Sequence, residues 1–146
     1  MYVPERVLTN AYFDEMLGED VSTWLSKVAK IDERRWTTDG ESTADLSEKA
    51  ARQALEVAGM TADQLDLLII ATDTPEFISP STASVVQHRL GASKAGTFDL
   101  NTACAGFVTG LDIASQYLRN NPHYRYILVV GAYNMSKFLN MEDKKT

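Results

Sequence analysis

The 146-residue sequence contains a single cysteine, so no disulfide can form within the chain. This absence excludes a disulfide-stabilised secreted framework and is typical of the reducing cytoplasm, where we expect the protein to be. No apolar run approaches the roughly 18 to 20 residues that span a bilayer. The first ten residues lack a basic start followed by an apolar stretch, so they predict no secretory signal. We therefore expect no membrane partner.

Basic residues are also scarce, with 14 Lys and Arg against 20 Asp and Glu and a net charge of −6. A nucleic-acid partner requires a basic stripe, whereas the pair Lys144-Lys145 is typical of a solvated terminus. The chain has no spacing of metal ligands, no phosphate-binding P-loop and no GxGxxG element. We predict no nucleic-acid partner, no metal site and no bound cofactor.

Apolar residues make up 45% of the chain, enough for one globular core. Helical spacing and capping residues predict helices at 42–58, 81–90 and 106–118. Ser42 or Thr43 begins the first helix, which ends at Gly59, and Ser81 caps the second. The spacing predicts that the first helix packs through Leu46, Ala50, Ala54, Leu55 and Ala58, and the third through Phe107, Leu111, Ala114 and Leu118.

Three apolar runs of strand length alternate with these helices, at 65–71, 97–103 and 126–130. This βαβ order predicts an α/β fold with a mainly parallel sheet flanked by helices. In the first forty residues, Asn10 is predicted to cap a short helix through Met16. A further helix is predicted to open at 20–22 and to run to Lys30, and 37–42 is predicted to be a polar loop.

The cysteine, Cys104, lies where the predicted strand 97–103 meets the helix that begins at Gly106. Such a junction places the sulfur at the carboxyl end of a parallel sheet, where α/β folds bind ligands. The N–H groups at the helix start favour a thiolate and could stabilise an oxyanion, and Ala105 and Gly106 allow close backbone approach. A free cysteine among apolar residues is also typical of an inert core position, and the residues alone leave both interpretations open.

Two histidines could in principle pair with this thiol. His88 is predicted on the helix 81–90, and His123 follows Pro122 in an exposed turn. Because a Cys/His pair needs a geometry that sequence does not supply, we interpret both as solvent-facing residues.

Several motifs follow one another along almost the whole chain, and the most specific is Thr102-Ala-Cys-Ala-Gly-Phe107. The others are Tyr2-Val-Pro4, Val7-Leu-Thr-Asn10, Trp24, Ile31-Asp-Glu-Arg-Arg35, 50–59, 66–72, 80–87, 99–107, Val129-Val-Gly131 and Met141-Glu-Asp143. In their order and spacing, the sequence resembles the β-ketoacyl-acyl-carrier-protein synthase III family of condensing enzymes.

The resemblance implies a thiolase-like fold of two similar halves and an acyltransferase that initiates fatty-acid or related synthesis. Such enzymes transfer an acyl group from acyl-CoA to a cysteine, matched here by Cys104. They then condense it with malonyl-acyl carrier protein and release CO₂, so acyl-CoA is a substrate and no cofactor is implied. The family's His and Asn lie further downstream. We therefore interpret residues 1–146 as the first half-domain, which lacks a strand before Tyr2, exposes apolar surface and cannot condense substrates alone.

The resemblance also implies that Trp24 stacks on the adenine of CoA, the alternative being a packed or partly exposed indole. The family tends to carry an arginine four residues later, where this chain has Val28, with Lys27 and Lys30 nearby. This departure puts the CoA contact in question.

A second departure concerns the residue before Pro80, which in the family reaches across a homodimer and lines the partner's acyl pocket. An aromatic residue there keeps primers short, whereas this chain has Ser79. Ser79 predicts a larger acyl pocket, unless Phe77 or Ile78 fills the space instead.

The implied partners are acyl-CoA, an acyl carrier protein and a second copy of the chain. Arg34-Arg35 and Lys27–Lys30 are candidates for docking an acidic carrier protein, although ordinary solvated charges explain them as well. A hydroxymethylglutaryl-CoA synthase-like or polyketide synthase-like enzyme is an alternative with the same cysteine chemistry. A non-catalytic scaffold or binding subunit of the same fold is an alternative from another class.

Overall fold

The computed structural model describes residues 1–141. Glu142 and Asp143 of the last motif, and the pair Lys144-Lys145, lie outside the described residues. The chain divides into two compact units. One unit comprises Met1–Tyr2 and Glu41–Asn134, and the other comprises Val3–Gly40 and the chain from Met135 onward.

The smaller unit contains a two-stranded antiparallel sheet that the sequence did not predict. Its elements are β1 (Arg6–Thr9), α1 (Asn10–Leu17), α2 (Ser22–Trp24), a π-helical turn (Leu25–Ala29) and β2 (Glu33–Trp36). The two strands pair with Arg6 opposite Trp36 and Thr9 opposite Glu33. The predicted second helix is confirmed: α2 continues without a gap into the π-helical turn, and Lys30 caps its end in a left-handed conformation with φ of 58°.

The predicted capping role of Asn10 is wrong. The cap position belongs to Thr9, and Asn10 is a buried residue inside α1. Its Nδ2 donates to the carbonyl of Ile31 at 2.8 Å and to Ser26 Oγ at 3.2 Å. Its Oδ1 accepts from the Arg34 guanidinium at 2.8 Å. Asn10 thus satisfies its amide by joining α1 to the segments that follow it, which local sequence alone does not reveal.

The larger unit has the predicted α/β architecture. Its elements are α3 (Thr43–Ala58), β3 (Leu67–Ala71), α4 (Thr82–Leu90), β4 (Gly96–Leu100), α5 (Gly106–Asn120) and β5 (Ile127–Gly131). The three strands are parallel in the order β4-β3-β5, and Leu67 lies opposite both Gly96 and Ile127. Within residues 1–141, no helix is both long and apolar enough to cross a membrane.

The predicted helix ends of this unit are confirmed. Ser42 forms a capping box with Asp45, and Gly59 ends α3 with φ of 63°. Ser81 Oγ accepts the Ser84 N–H, and Gly91 ends α4 with φ of 76°. These helix ends follow from local hydrogen bonds and from the freedom of glycine to adopt positive φ. The sequence shows both signals, the capping serine and the terminal glycine.

The core lies on both faces of β3, whose five residues are all buried. One face packs against α3 and α4 in a cluster that includes Leu68, Ile70 and Val86. The other face carries Leu67 and Ile69 beneath α5 and Ala114. A central strand buried on both faces explains the continuous apolar run of the sequence.

The predicted buried faces of two helices are confirmed only in part, at Leu55 of α3 and Ala114 of α5. Helix α5 buries its small residues Gly106, Gly110 and Ala114, whereas Phe107 and Leu111 are about half exposed. Helix α3 buries Thr43, Ala44, Ser47, Ala51 and Leu55, and leaves Ala54 and Ala58 exposed. The small residues bring each helix backbone close to its neighbour, so residue size rather than hydrophobicity determines the packed face.

Candidate active site

Cys104 lies in a tight turn between β4 and α5 rather than at the end of a strand. Strand β4 ends at Leu100, and residues Ala103–Ala105 form a single 3₁₀ turn. Asn101 Oδ1 accepts the N–H of Ala103 at 3.2 Å, and Ala103 adopts a φ of 46°. The prediction that the strand continues through Ala103 is therefore wrong, because the left-handed residue turns the chain before the cysteine.

The Cys104 side chain is exposed and lines a cleft of about 490 Å³. The cleft lies at the carboxyl ends of the three parallel strands and is lined by Ala71, Thr72, Asp73, Ala103, Cys104, Gly106, Phe107, Gly131, Ala132 and Tyr133. This is the edge at which parallel α/β sheets place their ligands, and the volume suits a small ligand. The free thiol is thus exposed at the surface rather than packed in the core.

Two glycines give the cleft its shape. A Cβ on Gly106 would lie 3.2 Å from the Cβ of Ala71, so α5 begins almost in contact with the end of β3. A Cβ on Gly131 would lie 3.4 Å from two carbons of Phe107, whose ring packs over that position. Phe107, predicted as a core residue, forms a wall of the cleft instead.

The backbone donors around Cys104 are partly used. Ala105 donates its N–H to the carbonyl of Thr102 at 3.1 Å, and Gly106 donates to the carbonyl of Ala103. Within the part of the chain that the structure describes, the N–H of Cys104 itself makes no hydrogen bond. This N–H is a candidate donor to the oxyanion that forms on a carbonyl oxygen when the sulfur attacks, the role that the sequence suggested for the N–H groups at the helix start.

Sequence analysis missed Asp73, which brings a carboxylate to the cleft. Its neighbours Thr72 and Thr74 are both buried, and the Thr74 N–H donates to Thr72 Oγ1 at 3.1 Å. Thr74 is fixed further, because its Oγ1 accepts from the N–H of Asn134 and its carbonyl accepts from Thr43 Oγ1. Asp73 lies two positions after Ala71, the last residue of β3, and that position near a strand end was the available signal.

Tyr133 is the second cleft residue that the sequence did not indicate. It is 62% exposed and follows Gly131, the last residue of β5, by two positions. The same rule that favours residues at the carboxyl ends of parallel strands would have found it.

Ser79 lies in the exposed segment before α4 and precedes a cis peptide bond to Pro80. Phe77 is half exposed and Ile78 is fully exposed in the same segment. The start of α4 is fixed by Asp99 of β4, whose carboxylate accepts the N–H groups of Thr82 and Ala83 at 2.7 Å each. Ser79 does not line the Cys104 cleft.

Trp24 belongs to the smaller unit, where it ends α2 with 59% of its surface exposed. Lys27 and Val28, three and four residues later, are exposed as well. An exposed indole beside a lysine is available to an aromatic ligand, and the valine offers no charge.

The two histidines lie away from the cleft. His88 is exposed on α4, and His123 is exposed in the turn before β5. Neither lines the cavity around Cys104. Among residues 1–141, no group of three His, Cys, Asp or Glu side chains is placed to hold a metal ion.

Sequence comparisons match this chain to 3-oxoacyl-[acyl-carrier-protein] synthases III. Residues 98–146 match the model of 3-Oxoacyl-[acyl-carrier-protein (ACP)] synthase III. The β-ketoacyl-[acyl-carrier-protein] synthase III of Clostridioides difficile is 41% identical over 145 residues, which cover 99% of this chain and 44% of that protein.

Solved structures give the same result. The 3-oxoacyl-[acyl-carrier-protein] synthase III of Aquifex aeolicus is 35% identical with a TM-score of 0.90, covering 99% of this chain and 46% of that one. A priming β-ketosynthase of a polyketide biosynthetic pathway is 31% identical with a TM-score of 0.91, covering 98% and 42%.

The chain spans about half the length of the curated relatives it matches. The matched structures and the helix-flanked parallel sheet confirm the predicted thiolase-like α/β fold. Over the length that it spans, the chain is similar in sequence and in fold to 3-oxoacyl-[acyl-carrier-protein] synthases III.

Proposed function

We propose that this chain provides the acyl-accepting half-site of a condensing acyltransferase. In the first step, the Cys104 sulfur attacks the carbonyl of an acyl-CoA thioester. The C–S bond to CoA breaks, CoA leaves as its thiol with the proton from Cys104, and an acyl-cysteine forms. This chemistry requires a nucleophile that substrate can reach and a donor for the oxyanion.

The observation that carries the proposal is the exposure of Cys104 in a cleft at the carboxyl ends of β3, β4 and β5. A buried cysteine would be an inert packing residue. The left-handed Ala103 places the thiol on the outside of a tight turn, and the unpaired N–H of Cys104 lies beside it. A single preorganised donor of this kind contributes about 3 kcal/mol to the stabilisation of an oxyanion.

In the second step, malonyl-acyl carrier protein loses CO₂, and the resulting enolate attacks the acyl-cysteine. The new C–C bond forms as the thioester C–S bond breaks, which releases a β-ketoacyl-carrier product and the Cys104 thiolate. The proposal assigns no step of this reaction to His88 or His123, since both lie outside the cleft. The reaction needs no bound cofactor, because acyl-CoA is its substrate.

The partners in this proposal are acyl-CoA, an acyl carrier protein and a second copy of the chain, in the cytoplasm. Trp24 would stack on the adenine of CoA, and Lys27 would take the place of the missing arginine near the phosphates. The exposure of both side chains supports this assignment. Arg34-Arg35 remains a candidate for carrier docking.

The segment with Ser79 would reach the partner's acyl pocket in the homodimer. Its exposed Phe77 and Ile78 support a role in contacting another chain, because large apolar side chains are seldom left in water. A small residue at position 79 would admit longer acyl groups. Ser79→Phe should shift the acyl-CoA preference towards short chains, and an unchanged preference would refute this assignment.

A polyketide-priming enzyme is the second candidate, because a priming β-ketosynthase matches this chain in structure as well as the synthase III of Aquifex aeolicus does. It would use the same Cys104 chemistry with another primer or acceptor. Comparing rates with a fatty-acid carrier protein and a polyketide carrier protein separates the two candidates. A scaffold subunit would transfer no acyl group to either.

The test uses a chimera in which this chain replaces the matched residues of the Clostridioides difficile relative. With acetyl-CoA and malonyl-acyl carrier protein, the chimera should release CO₂ and form a ketoacyl-carrier product. The Cys104→Ala chimera should form none, although it folds equally well by circular dichroism. A folded chimera without activity, or an active Cys104→Ala chimera, would refute the proposal.

A further inference from the structure

In the part of the chain that the structure describes, Asp73 is the one carboxylate among the residues that line the cleft of Cys104, and no lysine, arginine or histidine lines it. Its carboxylate makes no hydrogen bond or ion pair with the described residues, 1–141. The other lining residues are small, apolar, or hydroxyl-bearing, and they offer no cation to offset the charge. The negative charge of this carboxylate therefore repels anionic groups and attracts cationic groups that enter the cleft.

The position of Asp73 is fixed by its neighbours. Thr72 and Thr74 turn their side chains into the interior, where their hydroxyl groups lie 3.3 Å apart. Thr72 is also bound through its N–H to the carbonyl of Leu100, in the strand that leads to Cys104. The exposed Asp73 between these two buried residues is thus held at the end of β3, beside the turn that carries the thiol.

Fixed charges of one sign at a cleft lower the local concentration of ligands of the same sign and raise that of ligands of opposite sign. At the separations available within a 490 Å³ cleft, two unit charges interact by enough to change a rate about three- to tenfold. The acyl group bound to Cys104 lies inside this cleft, so the charge of its far end is exposed to Asp73.

We propose that Asp73 is a specificity-determining residue that makes Cys104 discriminate against acyl groups with a terminal carboxylate. Neutral acyl groups, and those with an ammonium or hydroxyl group, are accepted in preference to dicarboxylic half-thioesters. The inference deepens the proposed function and rests on it for the acyl groups. The repulsion between the Asp73 carboxylate and an anion that approaches the Cys104 thiol does not depend on the proposed function.

The first experiment alkylates Cys104 in the 146-residue chain with two reagents of similar size, neutral iodoacetamide and anionic iodoacetate. In both reactions the thiolate sulfur forms a bond to carbon as iodide leaves, and the thiol proton goes to the buffer. Since both reagents react with the same thiolate, the ratio of their rates cancels any change in thiol ionisation. The ratio of the two rates therefore measures how strongly the charge of the cleft disfavours the anionic reagent relative to the neutral one.

In Asp73→Asn, the iodoacetamide-to-iodoacetate ratio should fall about three- to tenfold relative to wild type. Asp73→Glu should keep the wild-type ratio. Asp112→Asn, at an exposed position of α5 outside the cleft, makes the same change in net charge and should leave the ratio within about twofold. Raising the salt concentration should reduce the wild-type ratio, because surface charges are screened over about 10 Å at 0.1 M.

Equal ratios in wild type and Asp73→Asn would overturn the proposal, as would an equal fall in Asp112→Asn. Circular dichroism and the unfolding midpoint of each variant guard against misfolding, and the conservative Asp73→Glu variant gives a second, independent comparison.

A second experiment compares butyryl-CoA with succinyl-CoA as acyl donors, which carry the same CoA charges and differ at the acyl end. Asp73→Asn should raise the relative rate of succinyl transfer about three- to tenfold. If neither donor acylates Cys104 while the alkylation ratio still changes, the proposed function fails and the electrostatic role of Asp73 stands. If both donors react and the preference is the same in both chains, the specificity role fails alone.

Discussion

Gly110 of α5 lies directly against Val129 of β5, so closely that a Cβ on the glycine would be 2.8 Å from Val129 Cγ1. This contact lets the helix axis approach the sheet and explains why α5 buries glycine and alanine while Phe107 and Leu111 remain exposed. It also sets the height of the Cys104 turn above the strand ends, because α5 begins two residues after the cysteine.

Gly110→Ala should lower the free energy of unfolding by about 1 to 3 kcal/mol, because the stiff, β-branched Val129 cannot yield without a shift of the helix. Urea denaturation measures the change. Gly40→Ala is the matched control, since a Cβ there meets nothing within 4 Å. Equal effects of the two substitutions would contradict the close approach of α5 and β5.

Asp99→Ala should destabilise the protein by about 2 kcal/mol, because its carboxylate satisfies two N–H groups at the start of α4. Asp99→Asn should cost less, since its amide oxygen still accepts one hydrogen bond. Thermal unfolding monitored by circular dichroism gives both values. A loss below about 0.5 kcal/mol for alanine, as expected of ordinary surface sites, would show that Asp99 is not a cap.

Ala103→Gly should leave the free energy of unfolding unchanged or raise it by up to about 1 kcal/mol, because φ of 46° disfavours a residue with a Cβ. Ala54→Gly, at an exposed position inside α3, should instead cost about 1 kcal/mol. Denaturant titration of the two variants compares them. Equal losses would show that the turn before Cys104 carries no left-handed residue.

The pKa of Asp66 is lowered by hydrogen bonds from the backbone N–H groups of Arg125 and Tyr126 to its carboxylate. A lowered pKa contributes stability that is present above the unfolded value of about 4 and is lost as pH falls through the folded value. Between pH 6 and pH 3, wild type should therefore lose more stability than Asp66→Asn. An identical pH dependence in wild type and Asp66→Asn would refute the role of Asp66.

The sequence predicted the parts of the fold that depend on neighbouring residues. Ser42, Ser81 and Gly59 mark helix ends through hydrogen bonds and dihedral angles within a few positions, and all three predictions are confirmed. The buried run of β3 was also readable, because a strand covered on both faces has no polar positions.

The predictions failed where residues far apart in the sequence determine which side chains are buried or hydrogen-bonded. The packed face of α5 depends on how near β5 lies to Gly110, and hydrophobic spacing alone does not contain that distance. Asn10 looked like a cap, but its amide pairs with Ile31 and Arg34. Cys104 was identified from its motif. Asp73 lines the same cleft because β3 pairs with β4, and that pairing is not visible in the sequence.

The most direct test of the account is the intact mass of the chain after incubation with acetyl-CoA. The account predicts a gain of one acetyl group, located on Cys104 by peptide mapping and matched by an equal amount of released CoA. The Cys104→Ala variant should gain nothing. A wild-type chain that stays unmodified, or an acetyl group that appears equally in Cys104→Ala, would contradict the assignment of Cys104 as the acyl acceptor.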